Sequence, residues 1–276
     1  PSFGNPSSDN LFTAGLAGGV IVPAIPTGRL AAKSTTDVDT YLNKIQQYED
    51  RVSNPPAEWM KHILHFGGGT ISSEQLSFKN YLGNYETTIE DTLYGGEVSS
   101  FFKTSSAPIS INTSDTLTAF MNEGVSLMTF FGHASASGFD LSIDNIETYN
   151  PLPGHYPFML ANGCYSGDIH SYELSTSENY VIKPNKGMIG YLASVGLGVP
   201  YALNLFSSEF YKQTALSNYG NSVGSSIKNS IDSIESYALS DPLVMSACTE
   251  MTLHGDPALV INAHKKPDYK ITNSDV

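Results

Sequence analysis

Three nearly continuous apolar runs constrain this chain more than any other feature: residues 125–131 (VSLMTFF), 156–161 (YPFMLA) and 188–193 (MIGYLA). A strand with one wet face alternates apolar and polar residues, so continuous runs of strand length signal strands covered on both faces, as in a parallel sheet. Residues 61–66 and 98–102 read as further strands, and 20–26 and 258–262 as short outer ones. Helix-length patterns lie between them. Ser34 and Asp37 form a capping box that opens a helix through Tyr41, Leu42, Ile45 and Tyr48. Ser72 and Gln75 are placed to cap a second helix, whose apolar stripe is Phe78, Tyr81, Leu82, Tyr85 and Ile89. A short helix is expected over 115–123, and two more near 202–217 and 223–237. Strand and helix alternate, which defines an α/β domain with a mainly parallel sheet.

Composition narrows the function. With 14 basic and 27 acidic residues, a net charge of −13 argues against nucleic acid, whose phosphates need clustered Lys and Arg. It also argues against an anionic membrane surface. No apolar run reaches the roughly 18 residues of a transmembrane helix. The carboxylate surplus is compatible with structural calcium, but no EF-hand loop is present and no cofactor is required. The two cysteines, Cys164 and Cys248, are too few for a disulfide-stapled scaffold and are read as free thiols. The chain opens at Pro1 without a leader pattern, so any export signal is expected outside it.

Two of the apolar runs stop at a reactive residue, one at Gly132-His133 and the other at Gly163-Cys164. The carboxyl ends of strands line the ligand crevice of an open parallel sheet, so neighbouring strands would bring an imidazole and a thiol together there. A histidine can take the thiol proton and later protonate a leaving amine. Glycine beside each residue would let the backbone approach a substrate closely. Packing alone also accounts for a cysteine after an apolar strand. Zinc is disfavoured, because His133, Cys164, His155 and His170 show no ligand spacing. A serine hydrolase is disfavoured too, since no G-x-S-x-G elbow follows a strand.

The segment Thr129-Phe130-Phe131-Gly132-His133, with Cys164 31 residues beyond the histidine, resembles the core of gingipain-type cysteine peptidases, relatives of caspases and legumains. Pro26-Thr27-Gly28-Arg29-Leu30, Asn122-Glu123-Gly124-Val125-Ser126-Leu127 and Gly255-Asp256-Pro257-Ala258-Leu259 resemble other family motifs in the same order, so the resemblance spans residues 18–262. It implies a caspase-like three-layer α/β/α sandwich and hydrolysis of polypeptide substrates through a thioester. Cys164 would be the nucleophile and His133 the acid/base, with backbone N–H groups of Cys164 and Ala134 holding the oxyanion. It also implies a protein secreted by bacteria. Residues 1–33 would close a preceding subdomain, 34–264 form the catalytic domain and 265–276 a tail.

Two departures stand out. Ala134 occupies a position where the family has glycine. The glutamate that orients the family histidine has no counterpart directly after residues 65–69. Glu74 is the nearest acid, and the expectation prefers it as a first-turn helix residue favoured by the dipole. Glu74 and Asp168 are also the acids placed to meet a substrate cation, with Gly132 and Gly163 lining the same cleft; Asp168 could instead close the turn after Gly167. The departures, with a Tyr- and Asn-rich exterior suited to binding polypeptide or glycan surfaces, motivate a second reading, an inert peptidase-fold interaction module of a secreted or cell-surface protein. Oligomeric state is not legible.

Overall fold

The structure is a computed structural model that describes residues 7–52, 57–91, 93–107, 110–111, 115–143, 145–169 and 175–261. Its strands are β1 (His62–Gly67), β2 (Glu97–Phe102), β3 (Ser110–Ile111), β4 (Leu127–Phe131), β5 (Ala134–Ser135), β6 (Gly138–Phe139), β7 (Leu141–Ser142), β8 (Phe158–Asn162), β9 (Gly190–Ser194) and β10 (Met251–His254). Its helices are α1 (Thr35–Val52), α2 (Ser72–Ile89), α3 (Asp115–Glu123), α4 (Thr176–Ile182), α5 (Pro200–Lys212), α6 (Val223–Ala238) and α7 (Pro242–Glu250). Six strands form one sheet in the order β10-β9-β8-β4-β1-β2. All neighbours in it are parallel except β10 on β9. The strands β5 and β6 make a small antiparallel hairpin, and β3 pairs with β7 in parallel.

The apolar runs are continuous because the sheet is buried on both sides. Ile63, Leu127, Phe131, Phe158, Leu160 and Leu192 pack toward α2, α5, α6 and α7. Leu64, Phe66, Met128, Phe130, Met159 and Tyr191 point the other way, toward α1, α3 and α4. This alternation produces the three-layer α/β/α sandwich. Full burial of a side chain of this kind contributes about 1.5–3 kcal/mol of transfer free energy.

The capping box of α1 forms as the spacing predicts: the Ser34 N–H donates to Asp37 Oδ2 (3.0 Å) and the Asp37 N–H to Ser34 Oγ (3.3 Å). At α2 the cap differs from the expectation. Neither Ser72 nor Gln75 supplies it; the Glu74 carboxylate accepts the N–H groups of Thr70 and Ile71 instead. Helix α4 is held at both ends. Thr176 donates its N–H and its hydroxyl to the carbonyl of Ala136, in the hairpin turn (2.9 and 3.2 Å). At the other end the buried Lys44 ammonium of α1 donates to the carbonyls of Tyr180, Val181 and Met188 (3.2, 3.0 and 2.8 Å).

Two expected strands are not strands. Within 20–26 the backbone makes only an isolated bridge, Ala14 to Pro23, although Ile21 and Val22 are buried. Residues 258–261 are irregular, with Leu259 and Ile261 packed into the core; residue 262, the last of that expected strand, lies outside the described residues. The last strand among the described residues is β10, which follows α7 without a break and turns back against β9. Arg29 bridges to His254 at its free edge, so the N-terminal segment covers that side of the sheet. The expected tail, 265–276, also lies outside the described residues.

Candidate active site

Parallel pairing of β4 with β8 places Phe131 opposite Asn162. His133 and Cys164 each follow two residues later, so they leave adjacent strands at the same level. The Gly132 N–H donates to the Asn162 carbonyl (3.1 Å) and ties the two exits together. The thiol of Cys164 is partly exposed and lies 3.7 Å from the Gly198 carbonyl, within reach of a weak S–H donor.

The turn that carries the thiol is tight. Tyr165 has φ +54°, a left-handed conformation that costs a non-glycine residue about 1–2 kcal/mol. Its N–H donates to the Gly196 carbonyl (2.7 Å), and Gly167 donates to Ser194 (2.9 Å). The Ser166 hydroxyl closes the turn on the Gly163 carbonyl (3.1 Å). Asp168 is part of the same turn, its N–H donating to Tyr165 (3.0 Å), with a partly exposed side chain.

On the other strand, the half-exposed His133 ring places Nε2 3.1 Å from Glu74 Oε2. Glu74 therefore makes two sets of contacts: it caps α2 and it meets the histidine. Partial burial pushes its carboxyl up, but hydrogen bonds from the Thr70 N–H, His133 and the Thr70 hydroxyl outweigh this and bring it to about 2. A carboxylate whose folded value lies below its ordinary 4.5 stabilises the fold above that pH, and the contribution fades as pH falls toward 2. Thermal unfolding of wild type and Glu74→Gln should therefore differ most above pH ~5, and the gap should close only as pH falls toward about 2. A gap independent of pH would contradict this account.

Ala134 fits without strain. Only Tyr165 and Asn185 have positive φ among the described non-glycine residues, so the alanine is not forced into a conformation reserved for glycine. The bond from the Asp140 N–H to the His133 carbonyl (2.9 Å) makes Ala134–Phe139 a non-hydrogen-bonded pair of the hairpin, which keeps the Ala134 N–H off that ladder. The glycines answer to neighbouring protein atoms. A Cβ on Gly163 would meet the Ala134 Cβ at 2.5 Å, and one on Gly132 would meet Phe130 Cζ at 2.6 Å and Asp140 Oδ1 at 2.8 Å.

Of the other histidines weighed as ligands, His155 stacks on Trp59 at 4.3 Å and donates from Nδ1 to the Glu123 carbonyl. His170 lies outside the described residues. Among the described residues, no group of three or more His, Cys, Asp or Glu side chains could hold a metal ion, and no helix is long and apolar enough to cross a membrane.

Sequence reasoning missed Asp140 and Lys103. Their side chains form a buried ion pair beneath the glycines (3.2 Å, 5% and 0% exposed). The only local signal was the glycine-rich exit of β1, which marks a close approach without naming the group approached.

The sequence profile of peptidase family C25 matches residues 1–262, and the chain belongs to that family, the gingipains. Among solved structures it is similar to the Arg-specific cysteine proteinase gingipain R (16% identity, TM-score 0.68), over 93% of this chain and 60% of that one. It is similar to a complex of Porphyromonas gingivalis RgpB pro- and mature domains (15%, TM-score 0.64), over 92% of this chain and 60% of that one. The Saccharomyces cerevisiae separase–securin complex matches more distantly (13%, TM-score 0.50), over 78% of this chain and 13% of that one. At these identities the likeness is one of fold. This chain spans about 60% of the gingipain structures. No curated protein matches it.

Proposed function

We propose that this chain cleaves peptide bonds through an acyl-enzyme, with Cys164 as nucleophile and His133 as acid/base. The observation that supports this most is the level exit of thiol and imidazole from paired strands, with Glu74 in contact with the ring at Nε2. Because Nε2 donates to Glu74, Nδ1 is the nitrogen that takes the Cys164 proton. The sulfur attacks the scissile carbonyl carbon, and the carbonyl electron pair moves to oxygen. The N–H groups of Cys164 and Ala134 receive that oxyanion. Collapse breaks the C–N bond, His133 protonates the departing amine, and a thioester remains. Water, deprotonated by His133, then releases the acid and restores the thiol. These steps use protein groups alone and need no cofactor.

Glu74, engaged with His133, orients the base. Asp168 is the carboxylate that would meet a basic side chain on the substrate. Two of the motives for the inert-module reading no longer favour it, since Glu74 contacts His133 (3.1 Å) and Ala134 is unstrained; the Tyr- and Asn-rich exterior is the third. An acidic surface and membership of the gingipain family support a secreted or cell-surface bacterial protein.

Iodoacetamide labelling near pH ~6.5, where an ordinary thiol is mostly protonated, tests the proposal. Cys248 is fully buried, and burial, helped by Glu235, pushes its thiol up to about 12. Cys164 should label rapidly and Cys248 only after unfolding, with His133→Ala slowing Cys164 by roughly ten-fold or more. Equal rates at the two cysteines in the folded protein would rule the proposal out.

A further inference from the structure

We propose that Asp140 is a positioning residue for catalysis, locking the loop that carries Glu74 to the hairpin that carries His133; this rests on the reading of His133 as the acid/base. Asp140 lies just past the hairpin, and its N–H donates to the His133 carbonyl (2.9 Å). Its Oδ2 accepts the N–H of Gly69 (2.8 Å) and the Lys103 ammonium (3.2 Å). Gly69 leads directly into Thr70 and Ile71, whose N–H groups fix the Glu74 carboxylate. One buried carboxylate thus joins the exits of β1, β2 and β4.

Two glycines make room for it. A Cβ on Gly68 would lie 2.1 Å from Asp140 Oδ1, and one on Gly132 2.8 Å from the same oxygen. A buried ion pair is a poor source of net stability, because the desolvation of both charges offsets their attraction. Retaining one under a 3.1 Å His–Glu contact is better explained by the geometry it imposes. Displacement of a catalytic group by about 1 Å can cost about 100-fold in rate.

The test measures peptide hydrolysis by Asp140→Asn, Glu74→Gln and the double variant, with kcat and KM determined separately. Asp140→Asn should lower kcat by about 10- to 100-fold with KM changed less than about three-fold. Because Asp140 acts through Glu74, the double variant should be little worse than Glu74→Gln alone. If Asp140→Asn does not fold, Gly68→Ala replaces it, since the added methyl must push the same carboxylate aside, and the same pattern is expected. Losses that multiply in the double variant, or full kcat in Asp140→Asn, would overturn the proposal. Wild-type Cys164 alkylation is recorded in the same series. An inert thiol there overturns the peptidase reading together with this one, whereas a reactive thiol with multiplying losses overturns only the positioning role.

Discussion

Replacing Cys164 with alanine should lower kcat/KM for peptide hydrolysis by on the order of 10⁴ or more, while leaving the thermal midpoint nearly unchanged. A loss of that size corresponds to about 5.5 kcal/mol of transition-state stabilisation. The separation of activity from stability follows from where the sulfur sits. It is partly exposed, and its hydrogen bond to the Gly198 carbonyl is a long one at 3.7 Å. A thiol is a weak donor, so little folding free energy depends on it. Cys248 is the internal contrast. It is wholly buried in the core on the α7 side, so Cys248→Ala should reduce stability and spare turnover. Steady-state kinetics and thermal unfolding of both variants give the comparison. Cleavage retained by Cys164→Ala at a tenth of the wild-type rate would refute the assignment.

The second large effect concerns stability. Lys44→Met should destabilise the domain by about 2–4 kcal/mol, because each buried carbonyl left without a partner costs about 1–3 kcal/mol. Relief of the ammonium's own desolvation offsets part of the sum. Lys44 donates to the carbonyls of Tyr180, Val181 and Met188, of which Tyr180 keeps the Met188 N–H as a second partner (3.0 Å), and the ammonium also lies 5.1 Å from the centre of the Tyr156 ring. For a chain of this size each kcal/mol moves the midpoint by about 2–4 °C, so a fall of about 5–15 °C is expected in thermal scans. Methionine matches the length of the stem, so the loss reports the polar contacts and not a cavity. An unchanged or raised midpoint would show that the buried charge is a net burden.

The central strands were legible because burial on both faces leaves a continuous apolar run. The same signal failed where burial has another cause. Ile21, Val22, Leu259 and Ile261 are buried by packing on the sheet's helices and edge, without strand pairing, and locally they look no different from a strand. Strand β10 was missed because it begins directly at the end of α7, with no turn residue to mark it. Cys164 and His133 were legible as residues ending apolar runs. Glu74 was legible as the nearest acid and was preferred as a helix-start residue, since its contact with His133 spans 59 residues of sequence. Asp140 and Lys103, 37 residues apart, leave no local trace at all, because their pairing is created by the order of the strands.

Helix α4 has seven residues, too few to persist alone in water. It survives as a strut, braced by Ala136 at one end and by Lys44 at the other. Its lifetime is therefore borrowed from its two anchors. When either is removed, α4, the start of the link to β9 and the tip of the His133 hairpin should lose their protection against hydrogen exchange together, as one cooperative unit. A substitution at Lys44 in α1 is therefore expected to loosen the His133 hairpin without touching it.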